Sequence, residues 1–218
     1  MLLYSLQGYG VKRLIVNVLA LLSVAMGFTY PAYANDAVKI LALGDSLTAG
    51  YGLAQSDSFP SQLETVLRDQ GHDITVINGG VSGDTSAGGR SRLDWLVDSS
   101  VDLVLIELGA NDGLRGLDPS ETRTNLDWIL NRLKEKKVPA VLTGMLAPPN
   151  LGADYGAEFK AIYPDLAVQY AIAFDPFFLQ GVAADPALNQ ADGIHPNKDG
   201  VLIIVKRLVP LLLDVLKK

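Results

Sequence analysis

Cysteine is absent from the 218-residue sequence, and histidine occurs only twice, as His72 and His195. The lack of cysteine excludes disulfide bonds, thiol catalysis and cysteine-ligated metal sites. The fold must therefore be held by its hydrophobic core, for which an apolar content of 49% is ample. The scarcity of histidine leaves two candidates for an imidazole base.

Positive charge is also scarce, with 18 lysines and arginines against 24 aspartates and glutamates. The basic residues are scattered, except for Lys134, Lys136 and Lys137 at a predicted helix end, where the helix dipole favours cations. A nucleic-acid-binding surface needs a basic patch. The sequence therefore argues against a nucleic-acid partner.

The N-terminal segment lacks the length of a membrane span. Its apolar run covers residues 14–26, follows Lys12 and Arg13, and is shorter than the about 20 residues that a spanning helix needs. Ala32-Tyr33-Ala34 has the small-x-small pattern of a signal-peptidase site. We predict that residues 1–34 are a signal peptide, removed on export to the periplasm or medium; an uncleaved anchor is the alternative. Removal changes the formal net charge from −6 to −8, because both lost charges are positive.

Residues 35–218 are predicted to form a single domain in which strands and helices alternate. Strands are predicted at residues 38–43, 74–77, 101–108, 138–145 and 171–174. Intervening helices are predicted from Ser58 to Gly71, ending near Asp98, opening at Asp118, and at residues 155–170 and 197–216. This alternation predicts an α/β fold: a three-layer α/β/α sandwich around a doubly wound, flavodoxin-like sheet of five parallel strands in the order 2-1-3-4-5.

In that strand order the loops after the first and third strands face one crevice, and Ser46 lies in the first of them. A helical turn beginning near Ser46 would favour a negatively charged oxygen beside its hydroxyl. A serine nucleophile needs a base, and the segment from Asp192 to His195 offers a histidine with a carboxylate three residues away. His72 precedes a strand and so lies at the opposite end of the sheet. The predicted triad is Ser46, His195 and Asp192.

Acyl transfer also needs donors for an oxyanion, and the loops supply the backbone N–H groups of Ser46 and Gly83 and the amide of Asn111. Taken singly, Gly83 and Asn111 are equally typical of turns. Apolar residues near the same loops predict an acyl-binding surface; they are Leu114, Leu117, Leu146 and Pro148.

Four segments resemble the conserved blocks of the SGNH (GDSL) hydrolase family, in the same order. They are Gly44-Asp45-Ser46-Leu47, Ser82-Gly83-Asp84-Thr85-Ser86, Gly109-Ala110-Asn111-Asp112 and Asp192-Gly193-Ile194-His195-Pro196. Residues 107–116 and 161–164 resemble the exported bacterial branch of multifunctional acyl-CoA thioesterases, lysophospholipases and arylesterases.

The resemblance implies a serine ester hydrolase that forms an acyl-enzyme on Ser46, with His195 as base and Asp192 as its partner. It implies Ser46, Gly83 and Asn111 as the oxyanion hole. It implies small or lipid-like ester substrates such as aryl esters, acyl thioesters or lysophospholipids, without a cofactor or a metal. A monomer is favoured.

Three alternatives remain open at the level of sequence. A carbohydrate O-deacetylase of the same family would keep the mechanism and change the substrate. A non-catalytic module that binds acyl groups or sugars is possible because fold does not fix function. A metal-dependent phosphatase could use Asp45, Asp84 and Asp112 as hard-metal ligands, although each adjoins a candidate catalytic residue and is more typical of loop bracing.

Overall fold

The computed structural model describes residues 37–217, and the predicted signal peptide lies outside them. Five parallel strands form one sheet in the order β2-β1-β3-β4-β5. They are β1 (Val38–Gly44), β2 (Ile74–Gly80), β3 (Leu103–Glu107), β4 (Ala140–Thr143) and β5 (Ala173–Asp175). The predicted fold class and strand order are confirmed.

Helices flank this sheet. Five are long: α2 (Phe59–Asp69), α3 (Ser86–Leu96), α5 (Pro119–Lys136), α6 (Ala153–Tyr170) and α7 (Lys198–Leu216). Two are short and follow strands directly: α1 (Ser46–Ala49) after β1 and α4 (Ala110–Leu114) after β3. Helix α2 contacts α7, whereas α5 contacts both α3 and α6, which gives two helical layers. The sequence predicted the long helices but represented α4 as a loop.

The central strands are apolar because helices cover both faces of the sheet. All five residues of β3 and all four of β4 are buried, without the alternation of a half-exposed strand. The two polar exceptions are Thr143 at the end of β4 and Glu107, a buried carboxyl group at the carboxyl end of β3.

Side-chain caps fix the helix starts nearest to the predicted site. Asp45 caps α1 by accepting from the N–H of Leu47. Asn197 caps α7 by accepting from the N–H groups of Asp199 and Gly200. The cap residue Asn197 lies two residues after His195, so the start of α7 fixes where that loop ends.

Helix α7 is apolar along much of its length, but charged residues interrupt its apolar run. Within residues 37–217, no helix combines the length and the apolar character that crossing a membrane requires. Val201, Ile204, Val205 and Leu208 are buried, while Lys206 is exposed. The helix therefore packs as an amphipathic element of the domain.

Candidate active site

Ser46 occupies the turn between β1 and α1. It is the first residue of the helix, so its N–H has no acceptor within the helix. The helix ends after one turn, because Gly50 adopts a left-handed conformation (φ 82°) and returns its N–H to the Ser46 carbonyl. The hydroxyl of Ser46 is thereby presented at the carboxyl edge of the sheet, where open α/β sheets bind ligands.

His195 connects Ser46 to Asp192. The Nε2 atom of His195 lies 2.9 Å from Ser46 Oγ, and its Nδ1 atom lies 2.7 Å from Asp192 Oδ2. The other carboxylate oxygen of Asp192 accepts from the N–H groups of His195 (3.1 Å) and Ile194 (3.0 Å). The carboxylate of Asp192 thus stabilises the turn through one oxygen and orients the imidazole through the other.

Asp192 is held in its charged form. The backbone N–H of His195, the imidazole of His195 and the N–H of Ile194 lower the pKa of Asp192 to about 2. A charged carboxylate at Nδ1 keeps the ring proton on that nitrogen and leaves the lone pair of Nε2 facing the Ser46 hydroxyl. This is the arrangement in which histidine acts as a general base.

Two residues that the sequence did not single out tie the histidine loop to the serine loop. The side chain of Gln190 donates to the carbonyl of Tyr51 (2.7 Å) and to that of Pro196 (3.0 Å), while its N–H donates to the carbonyl of His195 (2.7 Å). The ring of Tyr51 lies against the imidazole, with centroids 4.7 Å apart. No local pattern marks the two contacts of Tyr51, since they join segments that are far apart in the chain.

The candidate oxyanion donors meet at the same edge. The amide of Asn111 donates to Asp45 Oδ2 (3.0 Å) and to the carbonyl of Asp84 (2.9 Å), and the side chain of Arg115 donates to the carbonyl of Gly83 (2.8 Å). Within the part of the chain that the structure describes, the N–H groups of Ser46 and Gly83 have no protein acceptor. An oxyanion would find these two groups free, but it would have to share or displace a bond of Asn111.

A buried acid lies beneath the Ser46 turn. Oε2 of Glu107 accepts from the hydroxyl of Thr48 (2.8 Å) and from the N–H of Asp45 (3.3 Å). Burial raises the pKa of Asp45 to about 6, and burial together with the charge of Asp45 raises the pKa of Glu107 well above its ordinary value. Glu107 was not predicted as a functional residue, although it is the one carboxyl group within the apolar run of residues 103–108.

Asp112 and Asp84 are engaged in bracing loops. Asp112 accepts from the N–H and the hydroxyl of Ser86 (2.8 and 2.5 Å) and from the hydroxyl of Thr122 (3.1 Å). Asp84 pairs with Arg92 at 2.7 Å. Across residues 37–217, no group of three or more histidine, aspartate or glutamate side chains is arranged to hold a metal ion. The contacts of these carboxylates join α3 to its neighbours.

The four candidate acyl-binding residues differ in exposure. Leu114 and Leu146 are 53% and 42% exposed, whereas Leu117 and Pro148 are partly buried. The segments that carry them are in contact, because a methyl group added to Gly113 would lie 3.4 Å from Ala147 Cα. Further exposed apolar side chains, not predicted from the sequence, occupy the loops around Ser46, Gly83 and His195; they are Tyr51, Val81 and Ile194.

Comparison with known proteins identifies the family of the chain. Residues 42–202 match the model of the GDSL-like Lipase/Acylhydrolase family. The chain is 43% identical to an arylesterase of Vibrio mimicus over 180 residues, which cover 82% of this chain and 90% of the relative. It is 40% identical to thioesterase 1/protease 1/lysophospholipase L1 of Escherichia coli strain K12 over 189 residues, with coverage of 84% and 88%.

A solved structure gives the same result in three dimensions. The crystal structure of AlinE4, an SGNH-hydrolase family esterase, superposes with a TM-score of 0.70 at 48% sequence identity, and the match covers 82% of this chain and 96% of AlinE4. The family predicted from the four sequence blocks is therefore confirmed. The chain belongs to the GDSL-like lipase/acylhydrolase family and is a serine esterase of the GDSL type.

Proposed function

We propose that this esterase hydrolyses carboxylic esters and thioesters through an acyl-enzyme formed on Ser46. The observation that carries the proposal is the continuous pair of contacts from Ser46 Oγ to His195 Nε2 (2.9 Å) and from His195 Nδ1 to Asp192 Oδ2 (2.7 Å). This geometry satisfies the distance that a general base needs to remove the serine proton.

The reaction follows from those contacts. As Ser46 Oγ attacks the carbonyl carbon, its proton passes to Nε2, and the charge of Asp192 stabilises the imidazolium that forms. The bond to the leaving oxygen or sulfur then breaks, and the imidazolium donates its proton to that atom. Water attacks the acyl-enzyme with His195 again as base, which releases the acid and restores Ser46.

The developing oxyanion is the charge that the site must stabilise between these steps. We assign that role to the N–H groups of Ser46 and Gly83 and to the amide of Asn111. The two backbone groups have no competing protein acceptor within residues 37–217, which supports their part in the assignment. Asn111 joins them by exchanging one of its present bonds for the oxyanion.

The exposed surface supports an apolar acyl group as the substrate feature that is recognised. Of the eight large apolar side chains exposed within residues 37–217, four lie on loops at the carboxyl edge of the sheet and a fifth, Leu114, ends the short helix α4 that follows β3. They include Leu114 and Leu146, which we propose as acyl contacts together with Leu117 and Pro148. The relatives are named arylesterase and thioesterase/lysophospholipase, which favours aryl esters, acyl thioesters and lysophospholipids over acetylated sugars.

We further propose that the protein is exported as a monomer, and that its working form begins at Asn35 after removal of residues 1–34. The charged N-terminal residues, the apolar run and the Ala32-Tyr33-Ala34 segment support this. The intact mass of the protein recovered from the periplasm distinguishes a cleaved chain from one that retains Lys12 and Arg13.

A substrate panel tests the proposed activity. Protein purified after expression of the full chain is assayed with aryl esters of increasing acyl length, acyl-CoA thioesters, lysophospholipids and acetylated sugars, with Ser46→Ala as the control. We expect short- to medium-chain aryl esters to be cleaved best and Ser46→Ala to be inactive towards every substrate. Cleavage confined to acetylated sugars would replace the proposal by a carbohydrate O-deacetylase.

A further inference from the structure

Glu107 is a buried acid that the proposed chemistry does not use. Its side chain is 1% exposed and lies at the end of β3, whose other four residues are apolar. It bonds to the turn that presents Ser46 through the N–H of Asp45 and the hydroxyl of Thr48. An acid in this position requires a physical reason, because a buried charge without partners is costly.

The hydrogen bonds of Glu107 are unequal. Oε2 accepts two of them, from Thr48 and from the N–H of Asp45, whereas the fully buried Oε1 has no partner within residues 37–217. Two accepted bonds mark Oε2 as the carbonyl-type oxygen of a carboxylic acid. An ionised group would leave a charged oxygen buried and unpaired, which costs more than leaving a neutral one so.

The charges around Glu107 favour the same protonation state. Asp45 is a second buried carboxyl group immediately beside it, and its charge raises the pKa of Glu107. The guanidinium of Arg92, on α3, bonds to Asp84 and to the carbonyls of Gly44 and Gly79, and so is committed elsewhere. Beyond the serine turn, His195 acts on Asp45, and the phenol of Tyr163 on α6 lies close enough to the charges of both acids for them to raise its pKa, after burial as the main cause.

We propose that Glu107 is a positioning residue, a protonated acid that fixes the Ser46 turn from below and thereby sets the amide of Asn111. Its carbonyl-type oxygen holds Thr48 on α1 and the backbone of Asp45, and the carboxylate of Asp45 in turn accepts from Asn111 Nδ2 (3.0 Å). The inference rests on the proposed function, because it assigns Glu107 a part in orienting the nucleophile and an oxyanion donor.

The packing of Gly44 supports this role. A methyl group added at Gly44 would lie 2.6 Å from Glu107 Oε2 and would also overlap the hydroxyl of Thr48. The glycine before Asp45 is therefore required by the close approach of Glu107 and Thr48, and not by a left-handed backbone. The acid and the serine turn form one tightly fitted unit.

Two variants separate shape from charge. Glu107→Gln keeps the length and the accepting oxygen of a neutral acid, whereas Glu107→Met keeps the length but removes the acceptor. We expect kcat of the Gln variant to stay within about threefold of wild type and kcat of the Met variant to fall about tenfold or more, with KM little changed in both. Equal losses in the two variants, or a loss confined to KM, would overturn the proposal.

The pH dependence of stability tests the protonation state without using activity. An acid that stays protonated in the folded protein but ionises in the unfolded chain makes unfolding easier as pH rises above about 4.3, the ordinary pKa of glutamate. Glu107→Gln removes this contribution. We therefore expect the variant to gain stability relative to wild type as pH is raised from 5 to 8 in urea titrations.

The two measurements keep the possible failures apart. If the stability difference stays level or shrinks with rising pH, Glu107 is ionised and the inference is wrong, whatever the kinetics show. If the Met variant does not fold, the pH trend of the Gln variant still decides. The proposed function fails separately, when the wild-type protein shows no hydrolysis that depends on Ser46.

Discussion

Asp192, which reaches Ser46 through His195, and Glu107, which bonds to the turn that carries Ser46, show what two environments do to the same functional group. The side chain of Asp192 is 37% exposed, and three donors, two backbone N–H groups and the imidazole of His195, lower its pKa to about 2. Glu107 is buried with two donors and a neighbouring acid, and its pKa is raised. The carboxyl group beside the histidine that transfers the proton is thus charged, whereas burial disfavours the charged form of the acid that holds the Ser46 turn.

The largest expected effect comes from removing the charge of Asp192. Asp192→Asn keeps the oxygen that accepts from the backbone but loses the charge at Nδ1, which favours the wrong tautomer of His195. We expect kcat for an aryl ester to fall roughly 10⁴-fold. Asp185→Asn is a matched control, because Asp185 is exposed nearby, caps the N–H of Ala187 and does not contact the triad. A loss of less than tenfold in Asp192→Asn would show that its charge is dispensable.

A smaller effect is expected at Asn111, whose amide bonds to Asp45 beside the buried Glu107 and is a proposed oxyanion donor. Asn111→Ala should lower kcat by roughly 10²–10³ and leave KM nearly unchanged, since an oxyanion donor acts mainly in the transition state. Steady-state kinetics and a thermal melt are measured on the same preparation. Activity that recovers on cooling, together with a lowered Tm, would instead indicate that the amide only braces its loop.

The smallest effect is expected from removing the hydrogen bond between Thr48 and Glu107. Thr48→Val keeps the shape of the side chain and removes its hydrogen bond to Glu107 Oε2. Because we describe that acceptor as neutral, we expect the free energy of unfolding to fall by only about 1 kcal/mol in urea titrations. A loss of roughly 3 kcal/mol would be the cost of a bond to a charged acceptor and would count against a protonated Glu107.

The contacts of Asp192 and those of Glu107 also differ in how far the sequence predicts them. The strands, the sheet order and the juxtaposition of the serine and asparagine loops follow from apolar runs and from turn-forming residues, which are local signals. The short segment from Asp192 to His195 is equally local, since one turn with the two residues three positions apart fixes the geometry of the carboxylate and the imidazole.

The remaining features depend on distances between segments that are remote in the chain. Glu107 meets Thr48 only because β1 and β3 are neighbours, and both amide hydrogens of Asn111 find acceptors only in the folded protein. The contact between the rings of Tyr51 and His195 is of the same kind. A protonation state also depends on burial and on neighbouring charge, which a residue pattern does not report.

Covalent labelling of the wild-type protein with an activated alkyl phosphonate ester tests the central claim most directly, because its tetrahedral adduct forms on the attacking oxygen. Peptide mapping by mass spectrometry is predicted to find a single adduct, on the peptide that contains Ser46. Labelling should be absent in Ser46→Ala and much slower in His195→Ala, in which the nucleophile has lost its base. An adduct on another residue, or labelling that persists in Ser46→Ala, would contradict the assignment of Ser46 as the nucleophile.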